Sequence, residues 1–465
     1  MTGLGSHAPR SHTAHAILLA CVVVGAALRF TNLTKESFWI DEGWLLYIID
    51  RTSLWDVVRE ASRDIHPPLY YMLLWGWARV FGESDAALRS LSAVFATASI
   101  PATWALARRL VAPRAALVAT VIVALSPLLL LHAHDAKQYS LVLLLATIST
   151  ERFLAFAQGR SNRALAGWAV ATILLAYTHV IGATTVLAQD ALLLIGIPGA
   201  ARRGRALLVP WFIGHVVVAL AVAPVVPFLI AATPGFQGFP GSQSSHVLWR
   251  AFTSIVGGRF ETILIVALSA AGLTLGLLRG RAAPRGLRAS FVVAAIATLT
   301  PWAVSALTFP SFARRLVIPG IPPLAIVLGT GLVRLARPAR RGLLVALTVS
   351  VLATGISWLH PNVEREQWRE AADFVASEAK PGDVVLPLGI PDRILLRRYL
   401  PPGRPAVLDE SAAIPAASPG GARLFLVPSI HTLDLDAWRA TLRSRGWREA
   451  EETAFVMMLV IRFDP

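Results

Sequence analysis

Long apolar runs separated by short polar segments occupy residues 13–359 of this 465-residue chain. A helix needs about 20 predominantly apolar residues to cross the hydrocarbon core of a bilayer, and the pattern predicts about eleven such helices. No small-residue cleavage site follows the first run, so that run is predicted to be an uncleaved anchor. The predicted spans are 13–30, 86–107, 115–133, 140–158, 164–180, 182–200, 206–231, 259–278, 290–308, 317–336 and 342–359. This pattern is typical of a polytopic α-helical membrane protein.

One apolar stretch, Pro67 to Phe81, does not fit the alternation of loops. It is short, it carries Arg79, and counting it as a span would place the acid-free loop at 108–109 on the outside. We therefore predict an interfacial or half-inserted helix, whose aromatic side chains suit the headgroup level. Residues 31–85 then form one long outer loop between the first two spans.

The charge distribution predicts the topology. The chain is 55% hydrophobic and 15% charged with a net charge of +15, and its mean hydropathy is +0.60. The basic residues lie in short clusters between apolar runs, which favours positive-inside anchoring over nucleic-acid binding. Clusters without acids predict cytoplasmic loops and a cytoplasmic N-terminus: Arg108/Arg109/Arg114, Arg160/Arg163, Arg202/Arg203/Arg205, Arg279/Arg281/Arg285/Arg288 and Arg334/Arg337/Arg340/Arg341. The single cysteine, Cys21, excludes an intrachain disulfide.

The composition changes after Leu359. Residues 360–465 hold 15 of the 28 acidic residues and no further run that could span a bilayer, which predicts a separate soluble domain on the outer face. A helix start near Asn362 is followed by strand-like runs and a second helix, which indicates a small α/β fold. The runs are Asp383–Leu388, Arg423–Val427 and Phe455–Phe463, with the helix near Leu433–Arg445. This domain has no sequence motif for nucleotide binding, metal binding or a catalytic nucleophile, so we assign it a role in packing or in docking the acceptor.

Two stretches place acids and ring nitrogens at the ends of apolar segments. They are Phe38-Trp39-Ile40-Asp41-Glu42-Gly43 and His132-Ala133-His134-Asp135-Ala136-Lys137-Gln138-Tyr139. Charge beside a membrane is costly and points to function. The outer loop holds seven acids before the short helix, and Asp135 is predicted to emerge on the same side of the membrane. This convergence is the main functional signal in the sequence.

An ordered set of short motifs resembles the GT-C class of lipid-dependent glycosyltransferases, in the branch of protein O-mannosyltransferases and lipid A aminoarabinose transferases (glycosyltransferase family 39-like). The motifs are Arg29 with Asn32-Leu33, Phe38 to Glu42, His66-Pro67-Pro68-Leu69-Tyr70-Tyr71, Ala87-Leu88-Arg89-Ser90, Ala107-Arg108-Arg109-Leu110, Leu125-Ser126-Pro127 and Asp135 to Ser140. Weaker similarities are Ser311 to Arg315 and Trp368 to Ala372. Where many relatives carry an arginine, this chain has His134.

The resemblance implies a polyprenyl-phosphate sugar donor and transfer, with inversion, to an acceptor hydroxyl on the outer face of the bacterial plasma membrane. Such a transfer needs a base for the acceptor proton and cations for the leaving phosphate. We predict that Asp41 is the base, that Glu42 orients it or binds a substrate hydroxyl, and that Asp135 contacts a sugar hydroxyl or positions the base. The acceptor is a glycan, lipid or protein.

The phosphate candidates are His66, His134, Lys137, Tyr139, Arg314 and Arg315. Arg314 and Arg315 lie in a predicted outer loop against the positive-inside trend, which indicates a compensating anion. Lys137 is equally consistent with an interface anchor, and His66 with a turn residue. His179 is read as a packing histidine, and Asp190 as a hydrogen-bond partner of a neighbouring helix.

The acids and histidines show no short metal-ligand spacing, so no obligatory metal is predicted, although a divalent cation would fit the chemistry. The competing functional class is a multi-pass lipid or glycan transporter or flippase. Such proteins usually contain internal repeats, and no convincing repeat relates the halves of this chain. An inactive GT-C-like scaffold is the third alternative.

Overall fold

The computed structural model describes residues 11–335 and 365–465, apart from 63, 65, 160, 196–203, 228–229, 231–243, 258, 279–284, 309–310, 404, 410–413, 418–420 and 430–433. The chain forms two compact units. We call the first, with residues Met1–Thr31, Val58–Trp77 and Arg89–Ile356, the helical unit. The second, with Asn32–Val57, Ala78–Leu88 and Ser357–Pro465, is the mixed unit.

The helical unit is built from apolar helices joined by short loops. A central core of aromatic and aliphatic side chains, including Phe153, Trp168 and Trp211, is buried between them. Fifteen described helices lie between residues 11 and 334, and α2 together with parts of α3, α4 and α5 belongs to the mixed unit. They are α1 (Ser11–Phe30), α2 (Ile40–Ile49), α3 (Leu54–Ala61), α4 (Leu69–Phe81), α5 (Asp85–Leu110), α6 (Pro113–Leu125), α7 (Pro127–Ala133), α8 (Tyr139–Gly159), α9 (Asn162–Ala176), α10 (Gly182–Ile195), α11 (Gly204–Val222), α12 (Ser245–Val256), α13 (Arg259–Leu278), α14 (Arg285–Leu307) and α15 (Ile321–Arg334). Single 3₁₀ helices cover Ala223–Val225 and Arg314–Gly320.

Within the described residues, six helices are long and apolar enough to cross a bilayer, and the bent pair α6 and α7 makes up to seven. Three further apolar helical stretches are shorter: α9, α10 and residues Thr262–Leu275 of α13. The protein is therefore a multi-pass α-helical membrane protein, as the hydropathy pattern predicted. The number of about eleven spans stays a prediction, and the span at 342–359 lies outside the described residues.

The structure departs from the single predicted span at 115–133. The helix is broken at Ser126, and α6 and α7 are bent by 50° relative to one another. Ser126 has extended backbone angles, φ −61° and ψ 119°, because the ring of Pro127 disfavours a helical residue before it. The α4 helix has 13 residues, or about 20 Å of length. It is too short to cross the hydrocarbon core alone, which agrees with an interfacial helix.

The mixed unit contains the predicted α/β fold. A five-stranded sheet has the order β2-β1-β3-β5-β4. In it β1 pairs in parallel with β2 and β3, whereas β5 pairs antiparallel with β3 and β4. The strands are β1 (Val384–Leu386), β2 (Ala406–Val407), β3 (Leu424–Leu426), β4 (Arg448–Phe455) and β5 (Met458–Asp464), and the helices are α16 (Trp368–Glu378), α17 (Ile390–Tyr399) and α18 (Leu435–Ser444). The predicted helix start at Asn362 lies outside the described residues, and the described helix begins at Trp368.

Helix α2, which carries Asp41, packs within the mixed unit against α17. The two helices meet at Gly43, where a Cβ atom would lie 2.9 Å from Cβ of Pro391 and 3.1 Å from Cδ1 of Leu395. Glycine at this position therefore lets the two helices approach more closely than any larger residue would. The position of the α2 backbone, and with it that of Asp41, depends on this contact.

Candidate functional site

The first cluster of candidate site residues lies in the helical unit, in the turn between α7 and α8. Two hydroxyl groups hold this turn: Ser140 Oγ donates to the carbonyl of His132 at 3.0 Å, and Ser92 Oγ donates to the carbonyl of Lys137 at 3.0 Å. Asp135, Lys137 and Gln138 are 1%, 3% and 1% exposed. The turn is thus fixed by packing and hydrogen bonds, and its polar side chains are buried.

Asp135 is paired with a histidine that the sequence had not singled out. Its Oδ2 lies 2.7 Å from Nδ1 of His132, and both residues are buried. The carboxylate therefore fixes the orientation and the tautomer of that ring. This contact supports a positioning role for Asp135.

Aromatic rings extend the cluster towards the segment before α4. The ring centroid of His66 lies 4.8 Å from that of His179, and the His179 ring lies 5.8 Å from the ring of Tyr139. Tyr139 in turn lies 5.1 Å from the ring of His132. Nδ1 of His179 accepts a hydrogen bond from the backbone N–H of Ile181 at 3.1 Å. The predicted residues His66 and Tyr139 therefore belong to one row of tilted rings, called here the ring stack, which His132 and His179 complete.

Two cations lie beside this stack. The guanidinium of Arg315 lies 5.3 Å from the Tyr139 ring centroid. Burial, followed by the charges of Lys137 and Arg315, lowers the pKa of His66 well below its ordinary value. His66 is therefore neutral at pH 7. Among the described residues, the Lys137 ammonium has no ion pair.

Hydrogen-bonding capacity is also left over in this cluster. In the described part of the chain, no partner lies within hydrogen-bond distance of Nδ1 of His66 or of either polar side-chain atom of Gln138. Buried polar groups are normally hydrogen-bonded, since leaving one unpaired costs free energy. A buried amide, a neutral imidazole and two cations are a suitable set of groups for binding a phosphate.

The remaining predicted residues of this region contact other elements. His134 Nε2 lies 3.2 Å from the carbonyl oxygen of Leu28, near the end of α1. Arg314 begins the 3₁₀ helix and is half-buried, whereas its neighbour Arg315 lies over Tyr139. Successive residues of a 3₁₀ helix point in directions about 120° apart, so the two arginines are not equivalent. The structure brings Arg315 to the ring stack.

The second cluster lies in the mixed unit, at the start of α2. Trp39 is the N-cap, and Asp41 is the second residue of the helix. Oε2 of Glu42 accepts a hydrogen bond from the backbone N–H of Trp39 at 3.3 Å, which is the glutamate half of a capping box. Glu42 is buried and Asp41 is half-buried. Glu42 therefore orients the first turn of the helix that presents Asp41.

A carboxyl from the C-terminal part of the chain joins this cluster. Oε2 of Glu366 accepts a hydrogen bond from the backbone N–H of Ile40 at 3.4 Å, and the side chain is 1% exposed. Burial, together with the negative charge of Asp41, raises the pKa of Glu366 to about 7. No motif pointed to this residue, because it lies 326 positions from Ile40 along the chain.

An ion network ties the same unit together around Asp85. Its carboxylate accepts hydrogen bonds from Arg369 at 3.0 Å, from Arg398 at 2.7 Å and from the hydroxyl of Tyr399 at 2.8 Å. That hydroxyl accepts a hydrogen bond from the backbone N–H of Phe38 at 2.7 Å. The network therefore links α16 and α17 to the segment that leads into α2.

Comparisons with known proteins agree with this architecture. The family described as dolichyl-phosphate-mannose-protein mannosyltransferase matches residues 65–230. The structure resembles ArnT from Cupriavidus metallidurans, in its apo state (TM-score 0.61, 14% identity) and bound to undecaprenyl phosphate (TM-score 0.58, 15% identity). Each match covers 97% of this chain and 98% of that chain. The chain has the GT-C fold.

A second solved structure supports the same fold. The oligosaccharyltransferase of Archaeoglobus fulgidus, tethered with an acceptor peptide, matches with a TM-score of 0.57 and 11% identity over 97% of this chain and 74% of that chain. No curated protein matches the sequence. The resemblance to the GT-C class that the motifs indicated is confirmed.

On this GT-C chain, some site residues were missed by sequence reasoning. The spacing of His132 and Asp135, three residues apart at a helix end, was a usable signal for their contact. Gln138 adjoins Lys137 and carried no signal of its own. In the described residues, no group of three histidine, cysteine, aspartate or glutamate side chains could hold a metal ion. Metal dependence stays a prediction.

Asp190 illustrates a sequence expectation that the structure confirms. Its Oδ1 accepts a hydrogen bond from the indole N–H of Trp211 at 2.8 Å, which joins α10 to α11. A buried indole N–H normally needs such an acceptor. The residue therefore serves helix packing, as expected.

Proposed function

We propose that this protein is a membrane glycosyltransferase that moves a sugar from a polyprenyl-phosphate donor to an acceptor hydroxyl. The observation that carries the proposal is the buried ammonium of Lys137, which has no ion pair among the described residues, together with Arg315 and the neutral ring of His66. A buried unpaired charge is costly. An anionic ligand would offset this cost, and phosphate suits both a lysine and an arginine.

The ligands of two relatives support the donor class. The solved ArnT structure holds undecaprenyl phosphate, and AglB from Archaeoglobus fulgidus, with a TM-score of 0.55, was solved with a dolichol-phosphate and an inhibitory peptide. For this chain we propose a donor with the same polyprenyl-phosphate headgroup. The apolar surface of the helices would take the polyprenyl chain.

In the proposed reaction, Asp41 accepts the proton of the acceptor hydroxyl as its oxygen attacks the anomeric carbon of the sugar. The bond from that carbon to the phosphate oxygen breaks, and the phosphate leaves with the bonding electrons. Lys137 and Arg315 stabilise the charge that develops on the phosphate. A single displacement of this kind inverts the anomeric configuration.

The other residues have supporting roles in the proposal. Gln138 and the neutral His66 would hydrogen-bond the phosphate or the sugar without adding charge. Asp135 orients His132, and Glu42 orients the helix turn that carries Asp41. Arg314 and His134 are kept as weaker phosphate candidates, because His134 Nε2 lies beside the carbonyl oxygen of Leu28 and Arg314 points in a different direction from Arg315.

We further propose the topology that the arginine loops indicate. In this proposal about eleven spans cross the bacterial plasma membrane, the N-terminus is cytoplasmic, and Asp41, Asp135 and residues 360–465 lie on the outer side. Single cysteines near Asp41, Gln138 and Ala417 in a Cys21→Ala background should react with an impermeant maleimide in intact cells. Labelling confined to inverted membranes would contradict the orientation.

A transfer assay with the purified protein in detergent tests the function. A glycosyltransferase releases polyprenyl phosphate from its sugar donor in detergent, whereas a flippase needs two leaflets and releases none. Asp41→Asn should leave donor binding nearly intact and lower turnover by about 10² or more, because only the proton acceptor is lost.

Arg315 offers a matched comparison in the same assay. Arg315→Ala should weaken donor binding as well as turnover, because a charge-assisted phosphate contact acts in both the ground state and the transition state. Arg315→Lys should restore binding only in part, since it lacks the two-pronged guanidinium. Arg314→Ala serves as the neighbouring control. Equal losses from both alanine variants would remove the special role of Arg315.

A further inference from the structure

We propose that Glu366 is a positioning residue for Asp41: its carboxyl caps the first turn of α2, and its protonation state controls how firmly that turn is held. The inference rests on the proposed function, in which Asp41 is the base. It also gives the C-terminal part of the chain a direct role in the reaction.

The geometry places Glu366 at the free end of the helix. The first backbone N–H groups of a helix lack partners within it. The side chain of Glu42, which lies in the helix, accepts a hydrogen bond from the N–H of Trp39. The side chain of Glu366, which lies outside the helix, accepts one from the N–H of Ile40. Asp41 is the next residue. A shift of Glu366 therefore moves the backbone that carries the candidate base.

Glu366 is itself fixed on both sides. The hydroxyl of Ser37 donates to the carbonyl of Glu366 at 2.9 Å and accepts from the backbone N–H of Trp368 at 3.0 Å. Ser37 is 2% exposed, so water does not compete for these bonds. The segment before α2 and the segment before α16 thus form one hydrogen-bonded unit around the carboxyl.

The charges around Glu366 make its protonation matter. Burial raises the pKa of Glu366 to about 7, opposed by the hydrogen bonds from its own backbone N–H and from that of Ile40, helped by the charge of Asp41 and opposed by that of Arg365. Arg365 also pairs with Glu36 at 3.5 Å. On α2 the other acid is Glu42. On α17, which packs against α2, the charged residues are Asp392, Arg393, Arg397 and Arg398.

The sign of the pH effect follows from this shift. A carboxyl whose pKa is raised on folding contributes its full stabilisation of the folded state when the pH is below the ordinary pKa of 4.5. This contribution is lost as the pH rises through the folded-state pKa of about 7. Above that pH, Glu366 gains a charge that favours water over its buried position next to Asp41. A carboxylate is the better acceptor for the Ile40 N–H, so the cap on α2 is lost only because the ionised side chain leaves its buried position as the pH rises through about 7.

The experiment uses the full-length protein in detergent with three variants. Glu366→Gln keeps an acceptor for the Ile40 N–H but cannot ionise, and Glu366→Ala removes the acceptor. Glu378→Gln makes the same change on an exposed side chain of α16 and is the matched control. The midpoint of thermal unfolding is measured from pH 5 to 8 without donor, and kcat and donor affinity are measured over the same range.

The parent and Glu378→Gln should lose stability and turnover as the pH rises above about 7. Glu366→Gln should lose less of both and keep its turnover at pH 8. Glu366→Ala should lower kcat on the order of tenfold, because a small misplacement of a catalytic group has a large effect, while donor affinity changes by less than about twofold. A residue that only stabilises the fold would not flatten the pH profile when replaced by glutamine.

A Glu366→Gln protein whose unfolding midpoint and kcat follow the parent pH profile would overturn the proposal. Full turnover of a folded Glu366→Ala protein would do so as well. If the parent transfers no sugar from any polyprenyl-phosphate donor, the proposed function fails. The pH dependence of unfolding, measured without donor, still decides whether Glu366 caps α2.

Discussion

The two charged clusters differ in how their charges are compensated. In the helical unit, Lys137 is buried without an ion pair among the described residues, beside Arg315 and unpartnered polar atoms of His66 and Gln138. In the mixed unit, the carboxylates accept hydrogen bonds: Glu42 from Trp39, Glu366 from Ile40 and Asp85 from Arg369, Arg398 and Tyr399. In our proposal the first cluster binds an anion, whereas the hydrogen bonds of the second hold the segments around α2 together.

This contrast separates two kinds of functional residue. A site for a charged ligand is costly to the empty protein where a buried charge, here that of Lys137, has no ion pair among the described residues. A catalytic base needs position more than it needs a ligand, and the carboxylates of Glu42 and Glu366 beside it each accept a hydrogen bond from the protein itself. Substitutions in the two clusters should therefore have opposite effects on the stability of the ligand-free protein.

The largest expected effect is at Lys137. Lys137→Met removes the buried charge and keeps a side chain of similar length. Donor affinity should fall by about 10- to 100-fold, the equivalent of one charge-assisted contact of about 1.5–3 kcal/mol. The ligand-free protein should become more stable, by about 1 kcal/mol or more, because a buried unpaired cation is removed.

Differential scanning calorimetry measures the stability and a donor-binding assay measures the affinity, both on the same samples. Lys380→Met, at an exposed position of the mixed unit, is the control and should change neither quantity. A Lys137→Met protein that is less stable and binds donor normally would show that the lysine is a structural anchor. The contrast between the two clusters would then disappear.

The opposite response is expected at Asp85. Asp85→Ala leaves Arg369 and Arg398 without their shared acceptor and removes the partner of the Tyr399 hydroxyl. Breaking a buried ion pair costs about 3–5 kcal/mol, and the partial exposure of the two arginines reduces this to about 2–3 kcal/mol. Chemical denaturation, followed by a probe in the C-terminal domain, measures the loss.

Donor affinity should stay near the parent value in Asp85→Ala, because no residue of the phosphate cluster is changed. Asp409→Ala is a suitable comparison, since its ion pairs with Arg393 and Arg397 are largely exposed and such pairs contribute little. Equal losses of stability from the two variants would indicate that the Asp85 network is no more than a surface ion cluster.

The fold class could be predicted from the sequence because the helices are specified by local features, namely the apolar runs and the arginine-rich loops between them. The α/β character of the C-terminal part was readable from three strand-like runs, whereas β2 (Ala406–Val407) and β4 (Arg448–Phe455) were not predicted. The break at Ser126 was available in principle from Pro127, although the continuous hydropathy on both sides hid it. The count of spans depends on residues such as 342–359, which the structure does not describe.

The candidate site was readable only in part. Asp41, Asp135 and Lys137 stood out because charged residues are rare beside apolar runs. The choice between Arg314 and Arg315 depends on the phase of a 3₁₀ helix, which two adjacent identical residues cannot reveal. Glu366 could not be found at all, because its contact with the start of α2 joins distant parts of the chain and arises from tertiary packing.

The smallest expected effect is at Gly43, where α2 meets α17. Gly43→Ala places a Cβ atom 2.9 Å from Cβ of Pro391, closer than such atoms approach, so the helices must move apart by a few tenths of an ångström. Overpacking of this kind costs about 1–3 kcal/mol, and the gain in helix propensity of about 1 kcal/mol over glycine offsets part of it. The net loss of stability should be about 1 kcal/mol.

Gly43→Ala should lower turnover as well as stability, because the displaced backbone carries Asp41 two residues away. We expect kcat to fall several-fold with donor affinity unchanged, measured in the same transfer assay. Gly76→Ala is the control, since a Cβ atom at that helical position meets nothing within 4 Å. If Gly43→Ala and Gly76→Ala have the same kcat, the packing of α2 on α17 does not position the base, and Glu366 and Glu42 must hold it without help from that contact.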